Sequence, residues 1–207
     1  YVGQPIHYII AALEARHGGP AAIERAIAQH PQNKFRLAHG NGASPADRQK
    51  LMRYFAMEHV YELYGSTEAA INTCVQPGDP VDSVGRIGSK SVQILDANGK
   101  PCEPGRVDAN GRLLNYEAAV GEICREIDRD NLLFDGYFGN DQATANKFRD
   151  GWYHSGDLGH VRMIGRKRYL YFNGRSDDWI RKDGENFSAS DVADHVAAHP
   201  DVELVGA

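Results

Sequence analysis

The residue pattern changes near Gly78, and this change limits the folds that the chain can adopt. Before it, segments with apolar residues at helical spacing alternate with short strand-like runs. The helical segments are residues 6–16, 20–28 and 45–56, the last with Ser44 as its N-cap, and the strand-like runs are residues 35–38 and 60–64. Strands that alternate with helices predict a parallel α/β layer.

After Gly78 the chain is rich in glycine and proline, and its regular segments are short. Residues 91–95, 120–125 and 166–172 have the composition of β-strands. The tetrapeptide DANG occurs at residues 96–99 and again at 108–111, and it predicts a hairpin-type turn at each place. Residues 174–178 are predicted to form a polar break, and residues 188–199 a helix capped by Ser188 or Ser190. The predicted fold class is α/β plus a β-rich subdomain.

Composition and charge exclude several classes of protein. The net charge is −5 and no block of lysine and arginine stands out, which disfavours DNA or RNA as a partner. No apolar run approaches the roughly 20 residues that a membrane-spanning helix needs. The three cysteines form no CxxC pair, so neither a zinc site nor a disulfide framework is indicated, and free thiols in a reducing cytoplasm are expected. The first residues lack an initiator methionine, so we expect a segment of a longer chain.

The run YGSTE at residues 64–68 directly follows a predicted strand, where open α/β sheets bind their ligands. Tyr64 offers a flat face for a purine, and Gly65 permits close approach of the backbone. Thr67 offers a hydroxyl to a phosphate oxygen, and Glu68 is able to hold Mg²⁺. An ordinary strand-to-helix turn with a Ser/Thr cap would explain the same five residues.

Three further short segments carry polar groups suited to a nucleotide. Gly40 and Gly42 flank an asparagine at the end of the preceding predicted strand. Asp157 is predicted to lie in a glycine turn, where one carboxylate is able to accept hydrogen bonds from both ribose hydroxyls. Arg175 places a cation in the polar break, suited to a phosphate or ribose. A turn aspartate bonded to its own backbone and a linker arginine are the alternative interpretations.

Taken in order, these segments resemble the motifs of the adenylate-forming superfamily, which comprises acyl-CoA synthetases, adenylation domains and luciferases. The matching stretches are residues 64–68, residues 121–123 with 135–137, residues 152–158 and residues 174–178. Residues 40–42, 169–172 and 180–188 are similar to the fatty-acid transport protein and very-long-chain acyl-CoA synthetase branch, although Asp183 stands where that branch usually has lysine.

The resemblance covers nearly the whole chain and implies a division into three parts. Residues 1–77 would be the α/β part of the large AMP-binding domain, and residues 78–173 its β-rich distorted-barrel subdomain. Residues 174–207 would be the hinge and the beginning of the small α+β C-terminal domain.

The resemblance also implies roles for individual residues. Those assigned to ATP or AMP are Gly40, Gly42, Tyr64, Gly65, Ser66, Thr67, Asp157 and Arg175, with Tyr64 against adenine and Asp157 on the ribose. Glu68 would coordinate Mg²⁺, and Thr67, Glu68 and Arg175 would be the catalytic residues. Asp177 would be the hinge of the small domain, and the path of coenzyme A would be lined by Lys182, Gly184, Glu185 and Asn186.

The activity implied is that of an AMP-forming fatty acid–CoA ligase, which converts a long-chain fatty acid first to an acyl-adenylate and then to acyl-CoA. The lysine-ended phosphate loop and the C-terminal lysine of that family have no match in the chain, so the segment is expected to be inactive alone. An adenylation domain that loads a carrier protein, or a catalytically silent nucleotide-binding fragment, are the alternatives. The expected location is the cytoplasm; peripheral membrane association and oligomeric state are left open.

Overall fold

The computed structural model describes residues 2–68, 70–127, 134–175, 179–182 and 185–188, and the single residues 192, 196, 199 and 202. The chain forms two compact units. The first comprises Tyr1–Tyr64 and Asn72–Arg86, and the second comprises Gly65–Ile71 and Ile87–Ala207. Within the described residues, no helix is both long enough and apolar enough to cross a membrane. The division predicted from the sequence, at residues 77 and 173, stays a prediction.

The first unit contains three packed helices and a three-stranded sheet. The helices are α1 (Gly3–His17), α2 (Pro20–Gln29) and α3 (Pro45–Phe55), and the strands are β1 (Leu37–Gly40), β2 (His59–Gly65) and β3 (Asn72–Cys74) in the order β1-β2-β3. Strands β1 and β2 are parallel, as the alternating pattern predicts. The core of this unit is formed by Ile6, Ile10, Ile23, Leu51 and Tyr54.

Local sequence signals set the helix boundaries of this unit. The Ser44 hydroxyl accepts the N–H of Asp47 at 3.0 Å, which confirms Ser44 as the N-cap of α3. The first strand begins two residues later than residues 35–38 predict. Its pairing starts at Leu37 because the parallel partner strand starts at His59, and Phe35 is left exposed outside the sheet.

The second unit is built on a six-stranded sheet in the order β4-β9-β8-β6-β5, with β7 paired to β8. Its strands are β4 (Arg86–Ile87), β5 (Val92–Leu95), β6 (Gly121–Glu126), β7 (Phe148–Arg149), β8 (Trp152–Ile164) and β9 (Lys167–Arg175). The pairings among β5 to β9 are antiparallel. Two short helices, α4 (Tyr116–Ala119) and α5 (Asp141–Lys147), and a separate antiparallel hairpin of β10 (Trp179–Lys182) and β11 (Glu185–Ser188) complete the described part.

Both DANG segments form the predicted turns. Asp96 accepts the N–H groups of Asn98 and Lys100, each at 2.8 Å. Asp108 accepts those of Asn110 and Arg112 at 2.8 and 2.9 Å. In each case one carboxylate oxygen satisfies two turn donors, which is why the same four residues close the chain in the same way.

Three predictions about the second unit need correction. Residues 152–158 form no separate turn but lie inside the 13-residue strand β8, because residues 152–154 and 158 pair with β6 and Asp157 pairs with Arg175 of β9. Gly174 and Arg175 continue β9 instead of starting a polar break; residues 176–178 lie outside the described part. Ser188 pairs with Trp179 in the β10–β11 hairpin and is therefore not a helix cap, while Val192 and Val196 are helical and Ser190 lies outside the described residues.

The core of the second unit gives a stability prediction. Leu170 lies on β9 and is 0% exposed. We expect Leu170→Ala to lower the free energy of unfolding by about 2–5 kcal/mol, since it removes buried methyl groups and leaves a cavity. Urea unfolding followed by circular dichroism would measure the change. Ile164→Ala, at an exposed position at the end of β8, is the matched control and should change stability by less than about 0.5 kcal/mol; an equal loss from both variants would contradict the packing assigned here.

Candidate nucleotide and magnesium site

Glu68 is a carboxylate of the second unit that accepts hydrogen bonds from neighbouring side chains. The Tyr137 hydroxyl donates a hydrogen bond to Oε1 of Glu68, and the Thr67 hydroxyl donates to Oε2 at 3.3 Å. Tyr137 is 69 positions from Glu68 in the sequence. The fold therefore brings two of the motifs found in the sequence, residues 64–68 and 135–137, into direct contact.

These contacts keep Glu68 ionised. Burial acts to raise the pKa of the Glu68 carboxyl, but hydrogen bonds from Tyr137 and Ser66 outweigh it and lower the pKa to about 2. The same hydrogen bond to Glu68, with burial adding to it, raises the pKa of Tyr137 to about 12. The pair is thus a carboxylate and a neutral phenol at neutral pH. An anionic oxygen ligand is what Mg²⁺ prefers, and a carboxylate that accepts two hydrogen bonds retains lone pairs for a metal.

We expect Tyr137→Phe to raise the pKa of Glu68 from about 2 towards its ordinary value of 4.5, because the variant removes a donor to the charged form. NMR titration of the glutamate carboxyl carbons would measure the shift. Tyr8→Phe is the control, since it makes the same chemical change at an exposed tyrosine of α1. A Glu68 pKa that does not move in Tyr137→Phe would contradict the hydrogen bond as the cause.

A row of packed aromatic rings begins at Tyr137, the residue whose hydroxyl donates to Glu68. The ring centroids of Phe134 and Tyr137 are 5.0 Å apart, those of Phe134 and Phe148 5.8 Å, and those of Phe148 and Tyr153 5.7 Å. Tyr153 is 1% exposed. Close-packed rings of this kind hold the Tyr137 hydroxyl in place, so the Glu68 carboxylate is positioned before any ligand arrives.

Asp157 and Arg175 lie opposite each other on β8 and β9. Arg175 Nε is 3.4 Å from Asp157 Oδ1, and the arginine side chain is 69% exposed whereas that of the aspartate is 13% exposed. An ion pair with an arginine this exposed adds little to stability. We therefore interpret the pair as orienting its two side chains and not as stabilising the sheet. The Ser155 hydroxyl accepts the N–H of Asp157 at 3.0 Å and fixes the backbone there.

The strand around Asp157 carries an irregularity that the sequence did not reveal. Glu122 pairs with Leu158 and Cys124 with His154. One residue therefore separates the paired positions on β6, whereas the three residues 155–157 separate them on β8, so β8 carries two extra residues. We call residues 155–157 the β8 bulge. It contains Asp157, together with Gly156 at φ 81, a backbone conformation that glycine adopts without strain.

Glu122 is a further polar residue beside this bulge, for which no role was predicted beyond membership of the motif at residues 121–123. Its Oε1 accepts the N–H of Gly156 at 2.9 Å, and its Oε2 lies 2.7 Å from His154 Nδ1 and 3.3 Å from an Arg149 nitrogen. The backbone carbonyl of Ser155 accepts a hydrogen bond from Lys147 at 2.6 Å. These contacts span 34 positions of sequence between Glu122 and Gly156, which is why local patterns could not find them.

Glu122, Cys124 and His154 also bring three potential metal-binding atoms within 4.8 Å of one another. The same His154 Nδ1 makes both the contact with Glu122 and a 3.5 Å contact with the Cys124 thiol. Burial, with the nearby Glu122 charge adding to it, raises the pKa of Cys124 to about 12, so the group is a neutral thiol in these contacts. We therefore interpret the three side chains as a hydrogen-bonded set.

The remaining predicted nucleotide residues lie in or next to the sheet of the first unit. Gly40 pairs with Glu62 at the end of β1, and Gly42, at φ 76, donates its N–H to Glu62 Oε1 at 2.5 Å. Tyr64 is half-buried, and Gly65, the last residue of β2, is exposed.

The residues predicted for the path of coenzyme A lie on the β10–β11 hairpin. Lys182 pairs with Glu185, and Asn186 pairs with Arg181. Gly184 and the predicted hinge Asp177 lie outside the described residues.

Comparison with known proteins gives the family. No family model matches the chain. It is 35% identical over its full length to the steroid-22-oyl-CoA synthetase of Rhodococcus jostii, of which it covers 34%. It is 30% identical over 99% of its length to the medium/long-chain-fatty-acid–CoA ligase FadD17 of Mycobacterium tuberculosis, of which it covers 35%. The chain thus spans about a third of the length of these curated relatives.

Solved structures agree on the fold. The O-succinylbenzoate coenzyme A synthetase of Bacillus subtilis, solved in complex with ATP and magnesium ion, aligns over 87% of the chain with a TM-score of 0.59 at 23% identity, and the match covers 35% of that protein. The fold of the chain is that of part of the large domain of an adenylate-forming enzyme. The chain belongs to the adenylate-forming superfamily, and its relatives within that superfamily are acyl-CoA synthetases. The family and the fold class predicted from the sequence motifs are confirmed.

Proposed function

We propose that the complete protein is an AMP-forming acyl-CoA ligase that activates a large apolar carboxylic acid, and that this chain supplies its ribose- and magnesium-binding groups. The observation that carries the proposal is the ionised Glu68 carboxylate held by Tyr137. Asp157 and Arg175, paired across β8 and β9, support it as a second set of nucleotide-binding groups.

In the first half-reaction the substrate carboxylate attacks the α-phosphorus of ATP, and pyrophosphate leaves with the electrons of the broken P–O bond. Positioning and charge stabilisation dominate such transfers. Mg²⁺, when bound, would neutralise charge on the phosphates. We assign Glu68 to hold the metal, the Thr67 hydroxyl to donate to a phosphate oxygen, and Arg175 to contact phosphate or ribose.

The nucleoside is assigned to the remaining predicted residues. Asp157 would accept hydrogen bonds from the two ribose hydroxyls, and its backbone is already fixed by Ser155. Tyr64 would stack on adenine, with Gly40 and Gly42 leaving room for the ligand. Gly65 and Ser66 would follow the phosphates along the backbone.

In the second half-reaction coenzyme A attacks the acyl carbon of the adenylate, and AMP leaves. We assign Asp177 as the hinge of the domain rotation that admits the thiol, and Lys182, Gly184, Glu185 and Asn186 as the path it follows. Hairpin β10–β11 supports this assignment, because its antiparallel pairing places Lys182, Glu185 and Asn186 near one end of the two-stranded ribbon.

The substrate class follows from the relatives, whose names specify a steroid acid and medium or long-chain fatty acids. Both are large, mostly apolar carboxylic acids. A long-chain fatty acid, as the resemblance to the very-long-chain branch implies, is our first candidate; a steroid side-chain acid is the second, favoured by the 35% identity to the steroid-22-oyl-CoA synthetase. Peripheral membrane association would suit either substrate.

Acid-dependent ATP–pyrophosphate exchange by the complete reading frame tests the proposal. The assay should include fatty acids of graded chain length and a steroid side-chain acid, with this chain alone as the comparison that we expect to be inactive. Exchange with none of the acids would overturn the proposed activity. Thioester formation with free coenzyme A, against transfer only to a carrier protein, would then decide the acceptor.

A further inference from the structure

The β8 bulge interrupts the pairing of β8 with β6 but not with β9. Between His154 and Leu158 no bulge residue pairs with β6, whereas Asp157 keeps its pairing with Arg175 on β9. Asp157, the proposed ribose ligand, is the last residue of the bulge. A carboxylate that must meet two hydroxyls at hydrogen-bond distance tolerates little drift, so a side-chain contact that fixes the bulge from the β6 side would help to position it.

Glu122 lies where its side chain can hold the β8 bulge from β6. It lies at the position on β6 where the register shifts, and its two carboxylate oxygens contact different parts of the opposite strand. Oε1 accepts the N–H of Gly156, inside the bulge, at 2.9 Å. Oε2 lies 2.7 Å from Nδ1 of His154, the last paired residue before the bulge.

Both oxygens of the Glu122 carboxylate accept hydrogen bonds. Oε1 accepts the N–H of Gly156 at 2.9 Å, and Oε2 accepts from an Arg149 guanidinium nitrogen at 3.3 Å. The ring of His154, which is 9% exposed, lies against the same Oε2. Only a carboxylate accepts at both ends, because one end of a glutamine amide is a donor.

We propose that Glu122 is a positioning residue for ribose recognition, which holds the β8 bulge so that the Asp157 carboxylate meets the ribose hydroxyls. This rests on the proposed function. Glu122 touches neither substrate nor metal in this role; it acts through Gly156 and His154.

Glu122→Gln in the complete protein tests the role. We expect kcat/KM for ATP to fall by up to about 100-fold, mainly through KM, because a misplaced group loses its contacts with the bound ligand. The sharper readout is discrimination between ATP and 2′-deoxy-ATP. Wild type should favour ATP, and Glu122→Gln should bring the ratio of the two kcat/KM values close to one, since the lost contact is the one to the ribose hydroxyls.

Glu126→Gln is the matched control, because it makes the same chemical change at an exposed position of the same strand. It should leave both kcat/KM and the ratio unchanged. Thermal unfolding of both variants, and a second variant Glu122→Asp, separate loss of fold from loss of position: a variant that merely unfolds loses activity towards both nucleotides equally. A folded Glu122→Gln that keeps the wild-type ratio would overturn the inference. Absence of exchange in the wild type would instead overturn the proposed function.

Discussion

Replacing Glu68 by alanine in the complete protein is expected to lower Mg²⁺-dependent ATP–pyrophosphate exchange by at least about 100-fold, because the metal would lose its protein carboxylate and the phosphates part of their charge compensation. We expect a large loss of exchange activity because the Glu68 carboxyl is ionised. Hydrogen bonds from Tyr137 and Ser66 outweigh burial and hold the Glu68 pKa at about 2, so its full negative charge is available at every pH at which the enzyme would be assayed. A carboxyl with a lowered pKa stays charged until the pH falls to that pKa, so Glu68 loses its charge only in strong acid.

Metal binding should be measured as well as exchange activity. Titration with Mn²⁺ in the presence of ATP, followed by electron paramagnetic resonance, should show weaker metal binding in Glu68→Ala, while AMP binding without metal is retained. Glu126→Ala removes an exposed carboxylate from the same unit and should leave both quantities unchanged. Wild-type metal affinity in Glu68→Ala would show that the metal ligand lies elsewhere.

The second large effect is expected from Asp157→Ala. Hydrogen bonds to a charged acceptor contribute about 1.5–3 kcal/mol each, so loss of both ribose contacts should reduce kcat/KM for ATP by about 100-fold or more. The loss should appear mainly as a higher KM. It should be far smaller for 2′-deoxy-ATP, which lacks the 2′-hydroxyl and therefore makes only one of the two contacts. Since Arg175 is 69% exposed and lies 3.4 Å from Asp157, the fold should tolerate the change.

Isothermal titration with AMP and with 2′-deoxy-AMP would measure the effect without turnover. Glu117→Ala, at an exposed position of the second unit, serves as the control and should bind both nucleotides as wild type does. Equal losses for the two nucleotides in Asp157→Ala, with an intact fold, would place the ribose contact on another residue. The comparison also distinguishes this direct role from that of Glu122, whose replacement leaves the Asp157 carboxylate present but free to move.

Features of the fold that depend on neighbouring residues could be predicted from the sequence. Ser44 caps α3 with its own hydroxyl, and Asp96 and Asp108 each close a turn through backbone groups within four positions. Helix α5 was not predicted, because none of its residues is buried and its sequence therefore has no apolar stripe at helical spacing. The β8 bulge was not predicted for a different reason. A register shift is defined by how two strands pair, so the sequence of one strand alone does not indicate it.

The candidate site divides in the same way. Glu68, Asp157 and Arg175 could be predicted as site residues, because each lies in a short motif whose residue types indicate nucleotide or metal binding. Tyr137 and Glu122 belong to motifs as well, but what they do depends on partners 69 and 34 positions away. The sequence therefore predicted the groups that we propose to contact a ligand, and it did not predict the contacts that hold them.

The β8 bulge has a consequence for how such a protein could change over time. The pairing with β6 resumes on both sides of the three residues, and Asp157 pairs with β9 through its backbone. A substitution that changes only the Asp157 side chain would therefore alter the proposed ribose contact and leave the strand pairing in place. Gly156, at φ 81, allows far less change, because other residues are strained in that conformation. The proposed ligand contact and the strand pairing thus depend on different atoms of Asp157, so evolution could change the first and keep the second.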